Sequence, residues 1–259
     1  MPVEQSREVS EIDPLVERSR DVIADLTAAL DAAADPARAR QLETYFQVRP
    51  GGYGEGDRFL GVTMGELRKI VRRWRSEPFE VAPWLGHLRH EVHEHRMAAL
   101  MVMGERAARG DDSERDLVAA TYLEHTDRVN NWDLVDESSR RILGVWLEDR
   151  DRSLLDGLAV SSSVWERRIA MVTTFHFLCQ GESADTYRIA ELLLGDEHDL
   201  IHKATGWMLR EAGKRVDVAE LRSWLGRFAP RMPRTALRYA IEHFDAEERR
   251  RWLAMPRVR

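Results

Sequence analysis

The sequence has little of what disulfide, metal-cluster or membrane proteins need. Its 259 residues include one cysteine, Cys179, so an internal disulfide and any multi-cysteine metal site are excluded. It contains no run of about 18 apolar residues that could span a membrane. Residues 1–13 are too acidic and polar for a signal peptide. We therefore expect a cytoplasmic protein with no membrane partner.

Basic residues are fewer than acidic ones, and they are unevenly distributed along the chain. The chain carries 39 Lys and Arg against 45 Asp and Glu, a net charge of −6, which taken alone argues against a nucleic-acid partner. Residues 1–200 have a net charge of −13, whereas residues 201–259 have a net charge of +7. Two of the only three lysines, Lys203 and Lys214, lie in the basic segment. A partner such as DNA would thus bind through one face, with clear salt dependence.

Strict alternation of apolar and polar residues, typical of strands, is limited to a short ambiguous stretch near Phe59–Val62. Helical spacing prevails elsewhere, in paired helices with a unit of about 35–45 residues. This pattern predicts an all-α fold, an α-solenoid of HEAT-like repeats, with an irregular helical bundle as the alternative. We expect one domain over residues 15–259 after a loose acidic tail, residues 1–14. The predicted helices cover residues 15–30, 37–47, 64–75, 91–108, 113–124, 132–147, 163–179, 185–194, 199–214, 217–228 and 234–244, with breaks at Pro78 and Pro83 among others.

Two segments invite ligand-binding interpretations that their spacing does not support. Arg49–Asp57 contains four glycines but matches neither the GxxxxGK[ST] pattern nor a strand–GxGxxG–helix context, so we interpret it as a structured loop between helices. The histidine run His87–His95 fails the HExxH spacing because Glu94 stands where the second histidine should be. We interpret it as the solvated start of a helix and predict no metal site.

The predicted helix over residues 199–214 has two distinct faces. Its core face carries four apolar residues at helical spacing, Ile201, Ala204, Met208 and Ala212. A narrow stripe on the opposite side carries three cations and an aromatic residue, Lys203, Trp207, Arg210 and Lys214. In a stripe of this kind the cations can bind phosphates while the aromatic ring contacts a sugar or a base. Alternatively, Trp207 packs against a neighbouring helix.

The segment over residues 130–136 places an aromatic side chain beside a carboxylate. Asn130 or Asn131 is a suitable N-cap for the helix that follows. Trp132 and Asp136 are four residues apart, so their side chains are neighbours on that helix. This pair could stabilise a developing cation or position a water molecule. By spacing alone, a buried tryptophan beside a surface aspartate is the simpler interpretation.

Several long motifs resemble the AlkD-type DNA alkylation repair proteins. They are NNWDLVD (130–136), WERRIAM (165–171), LIHKATGWMLREAGK (200–214) and PRTALRYAIE (233–242), and TYFQVRPGGYGEGDRFLGV (44–62) resembles a segment of one branch of that family. The resemblance extends over about residues 44–245. It implies HEAT-like repeats whose concave face holds duplex DNA. It also implies a monofunctional DNA glycosylase that releases N3- and N7-alkylated purines without metal or cofactor.

The resemblance also assigns roles to individual residues. It implies that Trp132 and Asp136 are catalytic. It implies contacts with the DNA backbone or the lesion for four further residues, Trp207, Arg168, Arg210 and Tyr45, although Arg167 leaves a one-position ambiguity in the match of Arg168. Lys203 and Lys214 join the binding residues because they flank Trp207.

We therefore expect an alkylpurine DNA glycosylase, associated with the nucleoid, that acts as a monomer on double-stranded DNA without flipping the base. One alternative is a non-catalytic HEAT-repeat protein that binds DNA by shape and backbone. Another is a protein-binding solenoid whose Trp207 and Arg210 meet an acidic peptide.

Overall fold

Regular structure is helical throughout residues 14–74 and 80–256, the parts of the chain that the computed structural model describes. Within these residues, extended pairing is limited to an isolated bridge between Arg58 and Val92. The predicted all-α class is confirmed. The predicted tail, residues 1–14, lies outside the described residues except for Pro14, at which the first helix begins. The predicted break at Pro78 also lies outside them.

The helices are numbered here in chain order. They are α1 (Pro14–Ala32), α2 (Pro36–Tyr45), α3 (Met64–Val71), α4 (Val81–Leu88), α5 (His93–Arg109), α6 (Asp112–Glu124), α7 (Trp132–Ser139), α8 (Leu154–Ala159), α9 (Val164–Thr173), α10 (Phe175–Cys179), α11 (Ala184–Leu192), α12 (Asp199–Arg215), α13 (Val218–Phe228), α14 (Arg234–Ala240) and α15 (Ala246–Ala254). Short 3₁₀ turns occur at Arg72–Trp74 and Thr126–Arg128, and a π-helical turn occupies Arg140–Gly144. None of the described helices is long and apolar enough to cross a bilayer.

The helices pack in two layers, as in a solenoid of helical repeats. In the first layer, α3, α5, α7, α9, α12 and α14 each contact the next. In the second layer, α1 contacts α4, α4 contacts α6, and α8 contacts α11. The two layers are joined by contacts between consecutive helices, such as α4 with α5, α8 with α9, and α11 with α12. Because each unit buries its apolar face against its neighbours, the predicted solenoid of HEAT-like repeats is confirmed.

The apolar pattern predicted for α12 matches the face that this helix buries in the core. Its four predicted core residues, Ile201 to Ala212, are fully buried. Gly206 lies where α14 crosses closely, since a Cβ atom there would stand 2.3 Å from the carbonyl oxygen of Ala236. This close packing of α14 against α12 also places Tyr239 beside the basic stripe of α12.

Several helix boundaries differ from the predicted ones. The predicted helix over residues 132–147 passes into the π-helical turn after Ser139. The helix predicted over residues 163–179 is divided at Thr174, whose hydroxyl donates to the carbonyl oxygen of Met171 at 2.8 Å. The predicted break at Pro83 is wrong, because this proline lies in the first turn of α4, where no intrahelical N–H bond is lost. Helices α4, α8 and α15 are not predicted by the sequence pattern: α4 because Pro83 suggests a break, α8 because it is short, and α15 because its sequence is highly charged.

The histidine run is not a solvated helix start, contrary to the prediction. His93, Glu94 and His95 are all buried. The Glu94 carboxylate accepts hydrogen bonds from the backbone N–H groups of residues 60–62, at distances of 2.7 to 3.2 Å. The segment that follows the glycine-rich loop therefore folds over the start of α5, and the Glu94 carboxylate satisfies its backbone N–H groups.

Glu94→Gln should lower the free energy of unfolding by about 1.5–3 kcal/mol, because charge-assisted bonds to three backbone donors are lost. Urea unfolding followed by circular dichroism measures this change. Glu247→Gln is the control, since Glu247 is an exposed residue of α15 whose ion-pair partner among the described residues is Arg251, itself exposed. Equal effects of the two substitutions would contradict the structural role of Glu94.

Candidate active site

A cavity of about 510 Å³ opens along the first layer of helices, where α7, α9, α12 and α14 succeed one another. Seven of the eight residues that the sequence singled out line it, namely Tyr45, Trp132, Asp136, Arg168, Lys203, Trp207 and Arg210. Lys214 does not line this cavity; it lines a separate one with Arg222 and His243. Residues far apart in sequence thus converge on one site.

The first turn of α7 places the tryptophan and the carboxylate on one side. Asn131 is fully buried, and its side-chain oxygen accepts from the backbone N–H of Trp132 at 2.9 Å, which makes Asn131 the N-cap. Leu134 and Val135 are buried in the core. The helix therefore enters the site with Trp132 on its first turn and Asp136 one turn later, and both line the cavity.

Arg168 makes a bidentate ion pair with Asp136. Its Nε and Nη2 atoms donate to the two carboxylate oxygens at 2.9 and 2.8 Å. Its Nη1 atom donates to the carbonyl oxygen of Leu200 at 2.7 Å. The arginine side chain is 6% exposed and that of the aspartate 19%. Arg168 therefore lines the cavity and also fixes the orientation of the Asp136 carboxylate.

The Asp136 carboxyl group is electrostatically unusual. Burial raises its pKa above the ordinary value, the Arg168 guanidinium acts in the opposite direction, and Asp133 raises the pKa further. Each carboxylate oxygen keeps a lone pair that Arg168 does not use. In this poorly solvated position the carboxylate would attract a nearby cation more strongly than it would in water.

The Trp132 indole is held by aromatic neighbours from the N-terminal segment. It stacks on Phe46, with ring centroids 5.3 Å apart, and meets the edge of Tyr45 at 6.0 Å. Its Nε1 atom donates to the Tyr53 hydroxyl at 3.3 Å, and that hydroxyl donates to the backbone carbonyl of Tyr45 at 3.1 Å. Tyr53 also meets the edge of Trp165 at 6.4 Å. The glycine-rich loop thus forms one wall of the cavity.

Trp207 combines the two interpretations that its helical position allowed. It is half-buried, packs against the core, and lies 6.0 Å from Phe175 between ring centroids. It also lines the cavity on the side of α12. Trp132 and Trp207 are therefore aromatic walls contributed by two different helices.

The cations of the cavity all have carboxylate partners. Lys203 pairs with Asp199 at 2.7 Å, and this contact raises the pKa of Lys203. Arg210 pairs with Glu211 at 3.1 Å and with Glu242. The Asp199 and Glu242 side chains are more than half exposed. An incoming phosphate can therefore take their place beside Lys203 and Arg210 at little cost in buried contacts.

Four cavity residues were not predicted from the sequence: Gln47, Tyr53, Leu200 and Tyr239. Tyr53 is the single aromatic residue of the glycine-rich loop, and Tyr239 stands in the PRTALRYAIE motif, so both had a weak sequence signal. Gln47 adopts a positive φ of 54°, and Leu200 contributes the carbonyl that receives Arg168. Neither feature is visible in the sequence.

This chain is similar to known proteins in sequence and in fold. The family model described as DNA alkylation repair enzyme matches residues 26–244. A solved structure of a predicted DNA alkylation repair enzyme from Enterococcus faecalis is similar, with a TM-score of 0.64 and 16% sequence identity, over 82% of this chain and 97% of that one. At that identity the structure shows likeness of fold. A comparison with curated proteins found no match.

Tyr53→Phe should release the Trp132 indole, because it removes the hydroxyl that accepts from Nε1 and keeps the ring. We expect the Trp132 indole N–H resonance to move upfield in a ¹H–¹⁵N spectrum, with a loss of stability of about 1 kcal/mol or less.

The matched control is Tyr187→Phe, since the buried Tyr187 hydroxyl has no hydrogen-bond partner among the described residues. It should leave the Trp132 resonance in place. An unmoved resonance in Tyr53→Phe would show that the loop does not hold the indole.

Proposed function

Since the chain belongs to the family of DNA alkylation repair enzymes, we propose that it is a DNA glycosylase. In this proposal it hydrolyses the N-glycosidic bond of purines alkylated at N3 or N7 in duplex DNA. It acts as a monomer at the bacterial nucleoid and needs neither metal nor cofactor. The observation that carries the proposal is the Arg168-oriented carboxylate of Asp136, which shares one cavity with Trp132 and Trp207.

The chemistry of the substrate matches this arrangement. Alkylation at N3 or N7 makes the purine cationic and turns it into a good leaving group. Its departure leaves positive charge on the deoxyribose. The Asp136 carboxylate would stabilise this oxocarbenium-like sugar and orient the attacking water. Because Arg168 already holds the carboxylate, little reorganisation is needed as the charge develops.

The aromatic walls suit a cationic sugar. Trp132 and Trp207 can hold the deoxyribose by CH–π contacts and attract it further as it becomes positive. Contacts of this kind act on the sugar from the backbone side, so the base can stay in the duplex, unlike in enzymes that flip it into a pocket. Bulky alkyl groups would then be accepted, whereas neutral damaged bases, which are poor leaving groups, would react slowly.

Lys203 is the one lysine of the cavity, and its environment argues against a covalent role. The bond to Asp199 raises the pKa of the ammonium group, which keeps it protonated and non-nucleophilic. Lys203 and Arg210 are better suited to DNA phosphates. We therefore propose base release without strand cleavage by β-elimination.

A non-catalytic DNA-binding protein on the same scaffold is the alternative function. It would use Lys203 and Arg210 in the same way. It would have no use for a carboxylate that is largely buried, raised in pKa and aimed into the cavity. A titratable group in a cleft whose pKa is perturbed by burial and by a specific charged partner favours catalysis.

Wild-type protein incubated with methylated duplex DNA should release 7-methylguanine and 3-methyladenine, which chromatography of the free bases measures. Asp136→Asn should reduce the rate constant by about 100-fold, because the negative charge opposite the sugar is lost. Asp116→Asn is the control, since Asp116 is an exposed carboxylate of α6 bonded to Trp146 and Arg150.

Base release no faster than the spontaneous rate would sink the enzyme proposal. Full activity of Asp136→Asn would refute its assigned role even if bases were released. Strand cleavage without added alkali would contradict the absence of lyase activity.

The pH dependence of the rate should report on Asp136. Since the anion is the active form and its pKa is raised, activity should fall on acidification at a pH above the ordinary aspartate range. Arg168 lowers this pKa, so Arg168→Met should move the acid limb to higher pH and reduce the rate near neutrality about tenfold.

Single-turnover rate constants across pH, corrected for spontaneous release, measure this shift. Arg188→Met is the control, because Arg188 pairs with Asp156 and Asp185 in the second layer. An acid limb that stays in place or moves to lower pH in Arg168→Met would rule out the coupling.

A further inference from the structure

The end of the glycine-rich loop and the histidine run do not line the cavity, yet they meet behind Trp132. Asp57 ends the loop, His93 begins α5, and Asp133 is the second residue of α7. His93 lies between the two carboxylates: its Nδ1 is 2.9 Å from Asp57 Oδ2 and its Nε2 is 2.9 Å from Asp133 Oδ2. Three segments distant in sequence are therefore joined by one imidazole.

Both imidazole nitrogens face acceptors, so both carry protons and the ring is a cation. The His93 side chain is 4% exposed, and burial opposes its protonation, but Asp133 and Asp57 outweigh burial and raise the pKa of His93 to about 9. Arg96 also pairs with Asp57 and is buried. Two cations thus balance two carboxylates, which makes burial of the group tolerable.

The same cluster holds the N-cap of α7. The side-chain nitrogen of Asn131 lies 3.3 Å from Asp57 Oδ2, while its oxygen caps Trp132. Asp133 in turn accepts from the backbone N–H of Leu134 at 2.9 Å through its other oxygen. His93 and Asp57 therefore hold the residues on both sides of Trp132 in the chain.

A stack of rings makes a second connection. The His93 ring lies 4.5 Å from Phe59 and 5.4 Å from Phe46 between centroids. Phe46 in turn stacks on the Trp132 indole at 5.3 Å. The imidazole is thus connected to Trp132 in two ways. One connection is the backbone of α7, and the other is Phe46, which stacks on the face of the indole.

The glycine-rich loop must fold tightly to bring Asp57 to this point. A Cβ atom on Gly54 would lie 2.3 Å from the carbonyl oxygen of Phe46, and one on Gly52 would lie 1.9 Å from that of Gln47. Only glycine fits these two positions. The loop composition therefore serves close approach to the segment that supports Trp132, and no phosphate is needed to explain it.

We propose that His93 is a positioning residue: by bridging Asp57 and Asp133 it fixes the first turn of α7, and with it Trp132 and Asp136, relative to the substrate sugar. This role rests on the proposed glycosylase activity. In this role the glycine-rich loop, through Asp57, and the histidine run, through His93, together support the first turn of α7. A merely structural His93 would change stability but leave the rate of folded molecules unchanged, so rate and stability distinguish the two roles.

The test is His93→Gln, studied at a temperature at which circular dichroism shows it folded. Glutamine cannot donate to both carboxylates, so the first turn of α7 should shift. We expect the single-turnover rate of base release to fall by about tenfold or more, as for a small displacement of a catalytic group. The affinity for undamaged duplex DNA should stay near the wild-type value, because Lys203 and Arg210 lie on α12. The Trp132 indole N–H resonance should move. That of Trp224 should not, because Trp224 lies on α13, where its Nε1 atom donates to Glu191.

Asp133→Asn is the second variant. If His93→Gln does not fold, Asp133→Asn tests the proposal in its place. It keeps the shape and the bond to the Leu134 N–H but removes the charge that faces His93, so a smaller fall in rate and a moved Trp132 resonance are expected. His90→Gln is the matched control from the same run, because His90 bonds to the Val92 N–H and to neither carboxylate.

Folded variants with the wild-type rate constant and an unmoved Trp132 resonance would overturn the positioning role. So would a fall in rate that matches a fall in the active fraction while the resonance stays in place. If wild-type protein releases no base, the proposed function fails, and the Trp132 resonance alone decides whether His93 orients α7.

Discussion

The ion pair between Asp136 and Arg168 is the contact on which the site depends. Arg168 comes from α9, its carboxylate partner from α7, and its third bond goes to the carbonyl of Leu200 on α12. One guanidinium thus joins three successive helices of the first layer and sets the distance between the walls that carry Trp132 and Trp207. A buried ion pair is a poor source of stability, because desolvation offsets much of its attraction. Its place in the cavity is better explained by the need for an oriented, poorly solvated anion.

Cations lie beside this anion in the cavity, although the whole chain has a net charge of −6. A negative net charge is therefore compatible with a DNA partner. Lys203 and Arg210 flank the cavity and are paired with the exposed carboxylates of Asp199 and Glu242. These pairs are weak in water and can be exchanged for phosphates. The rest of the acidic surface need not face the duplex. Under the proposed function, we expect salt-sensitive binding of DNA through this one face.

The segment over residues 46–62, which includes the glycine-rich loop, packs on α5 and α7 and completes the site. Glu94 clamps residues 60–62 onto α5, Asp57 and His93 hold the start of α7, and Tyr53 reaches the indole of Trp132. These contacts all lie behind or beside the aromatic wall. Polar groups that would be costly to bury alone are satisfied by one another, so the segment can be buried against the solenoid without large numbers of apolar residues.

Helical periodicity alone determined the all-α class, the core face of α12 and the adjacency of Trp132 and Asp136, because these depend on contacts within one helix. The motifs further indicated the family and seven residues of the cavity. Only the tertiary structure decided that Arg168 bonds Asp136, that Lys214 belongs to another cavity, and that three of the four histidines of the run are buried. It also decided that Tyr53 and Tyr239 reach the site. These features join residues tens of positions apart, and no local pattern encodes which side chains from different helices will meet.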